Sequence, residues 1–271
     1  MKRLLVKPGM KDNASEALKL LLDSNNDYKI IGIGCGATNS INDDIEINKF
    51  LDHEKCYLFS NFYTNLKCNP LDDARKLLMG EKLEMYVGTG ISDTLGLKAA
   101  MANEEDIKNI IKDSDKIYLL STLGGGTGTF VTPYVKRLCN EMNIEATTIA
   151  LLPFDFEGKA HHDYGKRGID ELIKNKGRVI SFRFIAYNPK VKVLALFGFA
   201  NLVMCLLASI IINNPNDDAL TKIIDELNDK QKEKIEQFDV NIEFMDYNNN
   251  EVKRRLLNNK DINKEVILWN G

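Results

Sequence analysis

The stretch Ser121-Thr-Leu-Gly124-Gly125-Gly126-Thr127-Gly128-Thr129 follows directly on the apolar run Lys116-Ile-Tyr-Leu-Leu120. Consecutive glycines give up the most backbone freedom on folding, so a run of them marks a place where the main chain turns through positive φ or approaches another group closely. The apolar run predicts a strand over 117–121. Val131, Val135 and Leu138 recur at helical spacing, which predicts a helix opened by Thr129 or Thr132. The glycines then occupy a strand-to-helix turn, where unpaired N–H groups and the positive end of the helix dipole favour an anion such as phosphate. Thr127 and Thr129 add hydroxyl donors. An ordinary glycine-rich turn of a parallel α/β protein accounts for the same residues. The P-loop is excluded, because no Lys follows the glycines and GxxxxGK[ST] occurs nowhere in the chain.

Outward from this loop, apolar runs at 28–33, 56–60, 83–87, 117–121, 146–151 and 179–184 alternate with helical patterns at 104–112, 131–142 and 165–176. That alternation predicts an α/β fold, a mostly parallel doubly wound sheet covered on both faces. Before it, Asp12 and Ser15 can start a helix whose face is Ala17, Leu18, Leu21 and Leu22, so residues 1–27 read as an N-terminal helical extension. Residues 28–190 form the α/β domain and 191–214 a central helix. Residues 215–271 turn to Asp, Glu, Lys and Asn and read as a reduced C-terminal domain, a small α+β annex. In it Leu220, Ile223, Ile224 and Leu227 predict an amphipathic helix, and 240–245 and 266–269 predict short strands.

The chain has 271 residues and a formal charge of −3, which gives no general reason to bind nucleic acid. Its cysteines, at 35, 56, 68, 139 and 205, make no CxxC pair and suit reduced thiols in the cytoplasm. Met1-Lys-Arg-Leu-Leu-Val runs at once into Lys7, Pro8 and Gly9, so no secretory leader is expected. The segment 193–212 is uncharged and long enough to span a bilayer, yet Asn201 lies at its middle with Gly198 and Ser209 nearby. A helix that is apolar all round and buried in a core satisfies the same pattern, and no membrane span is expected.

Two further glycine loops follow predicted strands: Gly32-Ile-Gly34-Cys-Gly36-Ala-Thr-Asn39 and Gly88-Thr-Gly90-Ile-Ser-Asp. Each alone is a weak nucleotide signal. Loops at the carboxyl ends of parallel strands converge on one edge of the sheet, where open α/β sheets bind ligands, and together they say more than any one does.

With these loops in view, the chain resembles the tubulin and FtsZ family of GTPases. Leu123-Gly-Gly-Gly-Thr-Gly-Thr129 is similar to the family's GGGTG signature followed by Ser or Thr, and Gly32-x-Gly34-x-Gly36-x-x-Asn39 to its first loop. Gly88-x-Gly90, with Gly96 and Ala99-Ala100, resembles its third. Pro153-Phe-Asp-Phe-Glu157-Gly158 resembles its PFxFEG segment, and Gly168-Ile-Asp-Glu-Leu172 follows at the family's spacing. The resemblance runs over roughly 29–212. It implies that Gly124, Gly125, Gly126, Thr127, Gly128 and Thr129 hold the α- and β-phosphates of GTP or GDP. It further implies that Gly34, Cys35 and Gly36 approach phosphate and sugar, and that Gly88, Thr89 and Gly90 line the γ-phosphate side. Glu157 would accept from the ribose hydroxyls. Phe197-Gly-Phe-Ala-Asn201 resembles the aromatic stretch of the family's central helix, so Phe197 would stack on guanine while Asn39 and Asn201 offer amides to it. Mg²⁺ bridging phosphate oxygens belongs to such triphosphate sites.

The chain departs from the family where the chemistry is done. His161 stands in place of a sugar-side arginine, a cation only when its imidazole is protonated. Leu202 stands where an aspartate reads guanine. The second loop's Asn-Thr-Asp appears as Asn61-Phe62-Tyr63, which keeps one amide and loses the acid. The family's catalytic acids come from an N-x-D-x-x-D loop that acts on the nucleotide of the next subunit. Here Asn216-Asp217-Asp218 matches its first half and Thr221 takes the second acid position. The resemblance therefore implies a GTP-binding protein that forms filaments head to tail, with hydrolysis completed across the subunit contact by Asp218 or Asp217 with Asn216. The alternative is a non-hydrolysing nucleotide-binding regulator that caps or binds a related FtsZ/tubulin-like filament.

Overall fold

In the computed structural model, residues 27–81, 92–214, 218–248, 251–257 and 266–269 are described. The expected first helix and the expected strand at 83–87 lie outside these residues. Strands β1 (Tyr28–Ile33), β2 (Cys56–Ser60), β3 (Lys76–Leu78), β4 (Lys116–Thr122), β5 (Glu145–Leu151) and β6 (Val179–Ala186) are mutually parallel. After β6 come β7 (Asn241–Asn248), β8 (Glu251–Leu257) and β9 (Val266–Trp269), each antiparallel to its predecessor. The strand order is β3-β2-β1-β4-β5-β6-β7-β8-β9. The helices are α1 (Gly34–Asp43), α2 (Tyr63–Lys67), α3 (Asp93–Ala102), α4 (Glu104–Ile111), α5 (Gly126–Glu141), α6 (Gly158–Lys174), α7 (Val193–Asn213), α8 (Ala219–Lys230) and α9 (Lys232–Phe238).

The parallel strands read as unbroken apolar runs because both faces of the sheet are covered. Successive side chains alternate between the two cores. Ile31, Ile33, Ile117 and Leu119 pack with Ala99, Ile107, Val131 and Leu138 from α3, α4 and α5. Ile30, Leu58, Tyr118 and Leu120 face the opposite way, against α1, α7 and α8.

The central helix is α7. It is long and apolar enough to cross a membrane by composition, with mean hydropathy 2.4, and 67% of that window is buried inside the protein. Leu202, Val203 and Leu206 lie in the core under the sheet together with Leu220, Ile223 and Phe244. An apolar stripe on every side is satisfied by burial in protein, as expected for a core helix.

Two helices begin earlier than their apolar spacing predicts. Instead of opening at Thr129 or Thr132, α5 opens at Gly126. Gly124 makes the turn with φ +108, Gly125 stays extended at φ −90 and ψ 167, and the first helical bond runs from Thr129 N to Gly125 O at 3.2 Å. Apolar periodicity starts only where side chains reach the core, so it is silent about the glycine turn. Likewise α6 begins at Gly158, well before the expected 165. A turn at Asp155–Glu157, closed by Glu157 Oε2 accepting from Phe154 N at 2.8 Å, delivers the chain to Gly158, whose φ of +82 turns it into the helix.

The C-terminal residues continue the main sheet through β7. Its partner β8, Glu251-Val-Lys-Arg-Arg-Leu-Leu257, carries no clean alternation and is not expected from sequence. Its charges are used between strands. Glu243 on β7 accepts from Arg183 on β6 and, at 2.6 Å, from Arg254 Nε on β8. Opposite charges on neighbouring strands stabilise the pairing that apolar patterning does not announce.

Between α5 and α6 lies a fully buried lysine. Lys136 donates to the carbonyls of Leu172 at 3.2 Å and Gly177 at 2.9 Å, and burial away from any carboxylate partner pulls its pKa down from 10.5 to about 7. A depressed folded-state pKa means that the unfolded chain binds the proton more tightly. The associated stability is fully present above the unfolded value and is lost as pH falls through the folded one. Chemical denaturation should therefore show unfolding free energy rising from pH 7 to 9, by up to about 1.4 kcal/mol per pH unit from this group. Lys136→Met should flatten that rise, and an equal slope in both proteins would assign it elsewhere.

Candidate functional site

Strand β1 pairs with β2 on one side and β4 on the other, with Ile33 level with Ser121 at the carboxyl ends. The helix after β1 packs on one face of the sheet and the helix after β4 on the opposite face. The strand order reverses here, the crevice position at which open α/β sheets bind ligands, and the two glycine loops meet at it.

Backbone meets backbone across this crevice. Gly34 has φ +84, and a Cβ there would stand 3.2 Å from Gly128 N. A Cβ on Gly36 would stand 2.3 Å from Thr122 Oγ1, and one on Gly128 would stand 2.0 Å from Thr122 O. From the other side, a Cβ on Gly96 would come within 2.7 Å of Gly126 O, which brings α3 over the first turn of α5. Gly124 is held between Pro153 Cγ, 2.7 Å from an added Cβ, and His161 O, 3.2 Å away. These glycines are demanded by the protein's own packing.

Gly125 is not. Its φ is open to any residue, and a Cβ built on it meets nothing within 4 Å. It is the N-cap of a 16-residue helix that has no side-chain cap and no acid in its first turn. The first N–H groups of a helix have no intrahelical acceptor, and the Gly125 Cα that opens this one borders open space. That arrangement is a cradle for an anion, with the helix dipole adding to the attraction.

The threonines are placed by hydrogen bonds within the loop. Thr129 Oγ1 accepts from Gly124 N at 2.8 Å and holds the turn, and Thr127 Oγ1 donates to Asn61 Oδ1 at 2.5 Å. Asn61, at the end of β2, is 1% exposed, and its Nδ2 is buried without a hydrogen-bond partner. An unmet buried donor costs roughly 1–3 kcal/mol, so this amide beside the cradle is suited to an acceptor supplied from outside the chain. Anionic phosphate oxygens fit a donor set of backbone N–H groups and the Asn61 amide. Asn61 is the residue the second loop retains; its neighbours Phe62 and Tyr63 are exposed and supply no acid.

The other expected residues each have contacts of their own. Cys35 is exposed on the first turn of α1. Glu157 is half-buried, with one carboxylate oxygen held by Phe154 N. His161 lies against Gly124. Asn39 is exposed on α1 and accepts from Asn65 Nδ2 at 2.7 Å. Phe197, near the start of α7, is packed edge-on against Phe154 and Phe156, with ring centroids 5.1 and 5.9 Å away. Asn201 has both ends of its amide engaged: Oδ1 accepts from Ser40 Oγ at 2.8 Å, and Nδ2 donates to Asp43 Oδ2 at 2.6 Å. The partners Ser40, Asp43 and Asn65 are not singled out by any sequence motif.

Asp218 is far from the cradle. It follows the C-terminal end of α7, whose 21 residues extend about 30 Å from the Phe197 side. Its Oδ1 caps α8 by accepting from Leu220 N at 3.1 Å and Thr221 N at 3.2 Å, and its Oδ2 accepts from Arg255 Nη2 at 2.9 Å. Burial opposes ionisation, but the Thr221 N–H and the Arg255 guanidinium outweigh it and hold the carboxyl below its ordinary pKa. Asn216 and Asp217 lie outside the described residues, as do Gly88, Thr89 and Gly90. A separate groove of about 500 Å³ between α3, α5 and α6 is lined by Leu97, Met101, Phe130 and Arg167 among others, with no glycine of the cradle in it.

The family profile of the tubulin/FtsZ GTPase domain matches residues 29–187. Among curated proteins, the cell division protein FtsZ of Aquifex aeolicus is 30% identical over 167 residues, 62% of this chain and 43% of that protein. FtsZ of Buchnera aphidicola is 27% identical over 174 residues, 64% of this chain and again 43% of the relative. The chain thus spans less than half the length of the curated relatives it matches. Among solved structures, an FtsZ dimer from M. jannaschii superposes with a TM-score of 0.63 at 23% identity, over 77% of this chain and 61% of that one. CetZ1 from Haloferax volcanii, solved as a GDP-bound monomer, superposes with a TM-score of 0.62 at 16% identity, over 74% and 64%. These structures share the fold, and the matched profile takes in the crevice from the first glycine loop to the end of β6. The glycine-walled crevice, the strand order around it and the profile match over more than half of the sequence agree: this chain belongs to the tubulin/FtsZ family and carries its GTPase domain.

Proposed function

We propose that the chain binds GTP and GDP in the crevice between β1 and β4 and assembles head to tail, with hydrolysis completed across the contact between subunits. The observation that carries the binding site is Gly125, a glycine with no conformational or packing need in the chain, set at an uncapped helix N-terminus near the unpartnered Nδ2 of Asn61. In this reading the N–H groups of 125–128 hold the α- and β-phosphates, and the Thr127 hydroxyl, by donating to Asn61 Oδ1, orients that amide so that its Nδ2 can join them. Gly34, Cys35 and Gly36 bring the first loop to phosphate and sugar. Gly88, Thr89 and Gly90 line the γ-phosphate side. Glu157 offers its second oxygen to the ribose, His161 stands beside the sugar, and Asn39, Phe197 and Asn201 border the base. Mg²⁺, bound through phosphate oxygens and water, would neutralise the triphosphate and stabilise charge on the leaving group.

Assembly is supported by kinship with proteins solved as filaments, among them CetZ2 bound to GTPγS and the TubZ of bacteriophage PhiKZ, both solved as protofilaments. The separation between Asp218 and the cradle suits an acid that serves the next subunit's nucleotide. A second reading is favoured by the Asp218–Arg255 pair. A carboxylate already engaged by two N–H groups and a guanidinium is a weak base, as befits a non-hydrolysing regulator of a related filament.

Gly125→Val tests the cradle. Because a Cβ at this position meets nothing within 4 Å, the stability cost should be limited to about 1 kcal/mol for a poorer N-cap, while affinity for GTP falls roughly a hundredfold, as about 3 kcal/mol of charge-assisted hydrogen bonding would require. Unchanged affinity would return the loop to an ordinary turn. Gly128→Ala is the opposite case. With Thr122 O only 2.0 Å from the new Cβ, it should cost roughly 3 kcal/mol of stability in a denaturant titration.

Asp218→Asn separates the two functional readings, since asparagine caps a helix as well as aspartate does but carries no charge. If Asp218 serves hydrolysis, GTP turnover that rises with protein concentration should collapse in this variant while nucleotide binding persists. Turnover unaffected by the change removes Asp218 from the mechanism. Absence of turnover in both proteins, with sedimentation only in the presence of a full-length FtsZ, supports the regulator.

A further inference from the structure

We infer that Asp43 reads the guanine edge of the bound nucleotide. This rests on the nucleotide reading above and names the residue that gives it base specificity. Guanine presents two donors side by side, the N1–H and the exocyclic 2-amino group, and an ionised carboxylate is the one side chain that offers two acceptors with no donor. Leu202 cannot do this: it is apolar, 3% exposed, and part of the core beneath the sheet.

Two carboxylates lie at the end of α1, where it packs against α7. Asp44 is fully buried and spent on the chain turn that follows. Its Oδ1 accepts from Phe50 N at 3.0 Å, and its Oδ2 accepts from Leu51 N at 3.0 Å with His53 Nε2 at 2.9 Å. Asp43 is half-buried, and its Oδ2 accepts from Asn201 Nδ2 at 2.6 Å. The acceptor-only carboxylate fixes the direction of the Asn201 amide, and Ser40 Oγ, 3.1 Å from Gly36 O and 2.8 Å from Asn201 Oδ1, holds its other end and so the position of the pair. Asn201 is thus a positioning residue that aims Asp43.

Placement fits the ligand. Asn39 and Asp43 are four residues apart on α1 and share a face, as do Phe197 and Asn201 on α7, and the Asn201–Asp43 bond sets these two faces against each other. Along α1, Asp43 stands about 13 Å beyond Gly34. A nucleotide with its phosphates at the cradle and its base directed along α1 would bring its edge to this carboxylate.

The test is equilibrium binding of GTP, ITP and XTP to the full chain and to Asp43→Asn. Xanthine keeps N1–H but carries an acceptor in place of the 2-amino group, and inosine lacks that group altogether. The wild-type chain should prefer GTP to both by on the order of tenfold or more. In Asp43→Asn, whose amide offers one acceptor and one donor, GTP affinity should fall and XTP affinity should rise, reversing their order. Should that variant melt below the assay temperature, Asp43→Ser serves instead, and GTP and ITP should then bind within about twofold of each other. A parallel loss of GTP and XTP affinity in Asp43→Asn would show that the carboxylate only braces the two helices, and would overturn the inference. So would a wild-type chain that binds XTP as tightly as GTP. Failure of the wild-type chain to bind any of the three overturns the nucleotide reading itself, and this inference with it.

Discussion

The first turn of α5 lies so close to β4 and to the first turn of α1 that no side chain fits between them. Gly34, Gly36 and Gly128 are the means of that approach, and an added methyl at Gly36 or Gly128 would overlap Thr122 outright. The constraint does more than save space. By pressing the N-terminal ends of two helices from opposite faces toward the same pair of strand ends, it gathers two helix dipoles at one point of the sheet edge. Gly125, left without a neighbour, then becomes the opening of the site rather than part of its wall. A positively polarised pocket arises at the switch point without a single lysine or arginine in the cradle.

The fold was legible where burial dictates residue type. β1 and β2 lie at the ranges their apolar runs predict, because strands covered on both faces leave no room for polar residues. The N-terminal ends of α5 and α6 were misread for a physical reason: backbone turns made by Gly124 and Gly158, not side-chain periodicity, set where those helices begin. β8 was invisible because its stability is ionic, with Arg254 answering Glu243 on the neighbouring strand. Periodicity of hydrophobic residues carries no information about such a pairing.

Within the site, motif and geometry diverge in an instructive way. Gly34, Gly36 and Gly128 stand at close backbone approaches, because such approach is encoded directly by residue size. The side chains expected at the base and ribose have partners of their own, as with Asn201 and Ser40 or Glu157 and Phe154 N. Hydrogen bonds between residues distant in sequence leave no spacing signal, so Asp43 and Asn65 could be found only in three dimensions. Asp218 shows the same limit from the other side. Its position after a helix agrees with an acidic loop, yet its cap on α8 and its pair with Arg255 became visible only with the strand that carries the arginine.

The burial of α7 has a consequence for biosynthesis. Its apolar surface is covered in part by Leu220, Ile223, Phe238 and Phe244, with Phe199 and Phe238 meeting edge-on at 5.5 Å. All four covering residues are translated after the helix itself. During synthesis, a segment as hydrophobic as a transmembrane span therefore emerges from the ribosome before the residues that enclose it are free to pack on it. Until α8 and β7 follow, the nascent chain presents a helix that membrane-targeting and chaperone systems recognise by the same apolar length. Its correct sorting depends on how quickly the next thirty or so residues arrive to close the core.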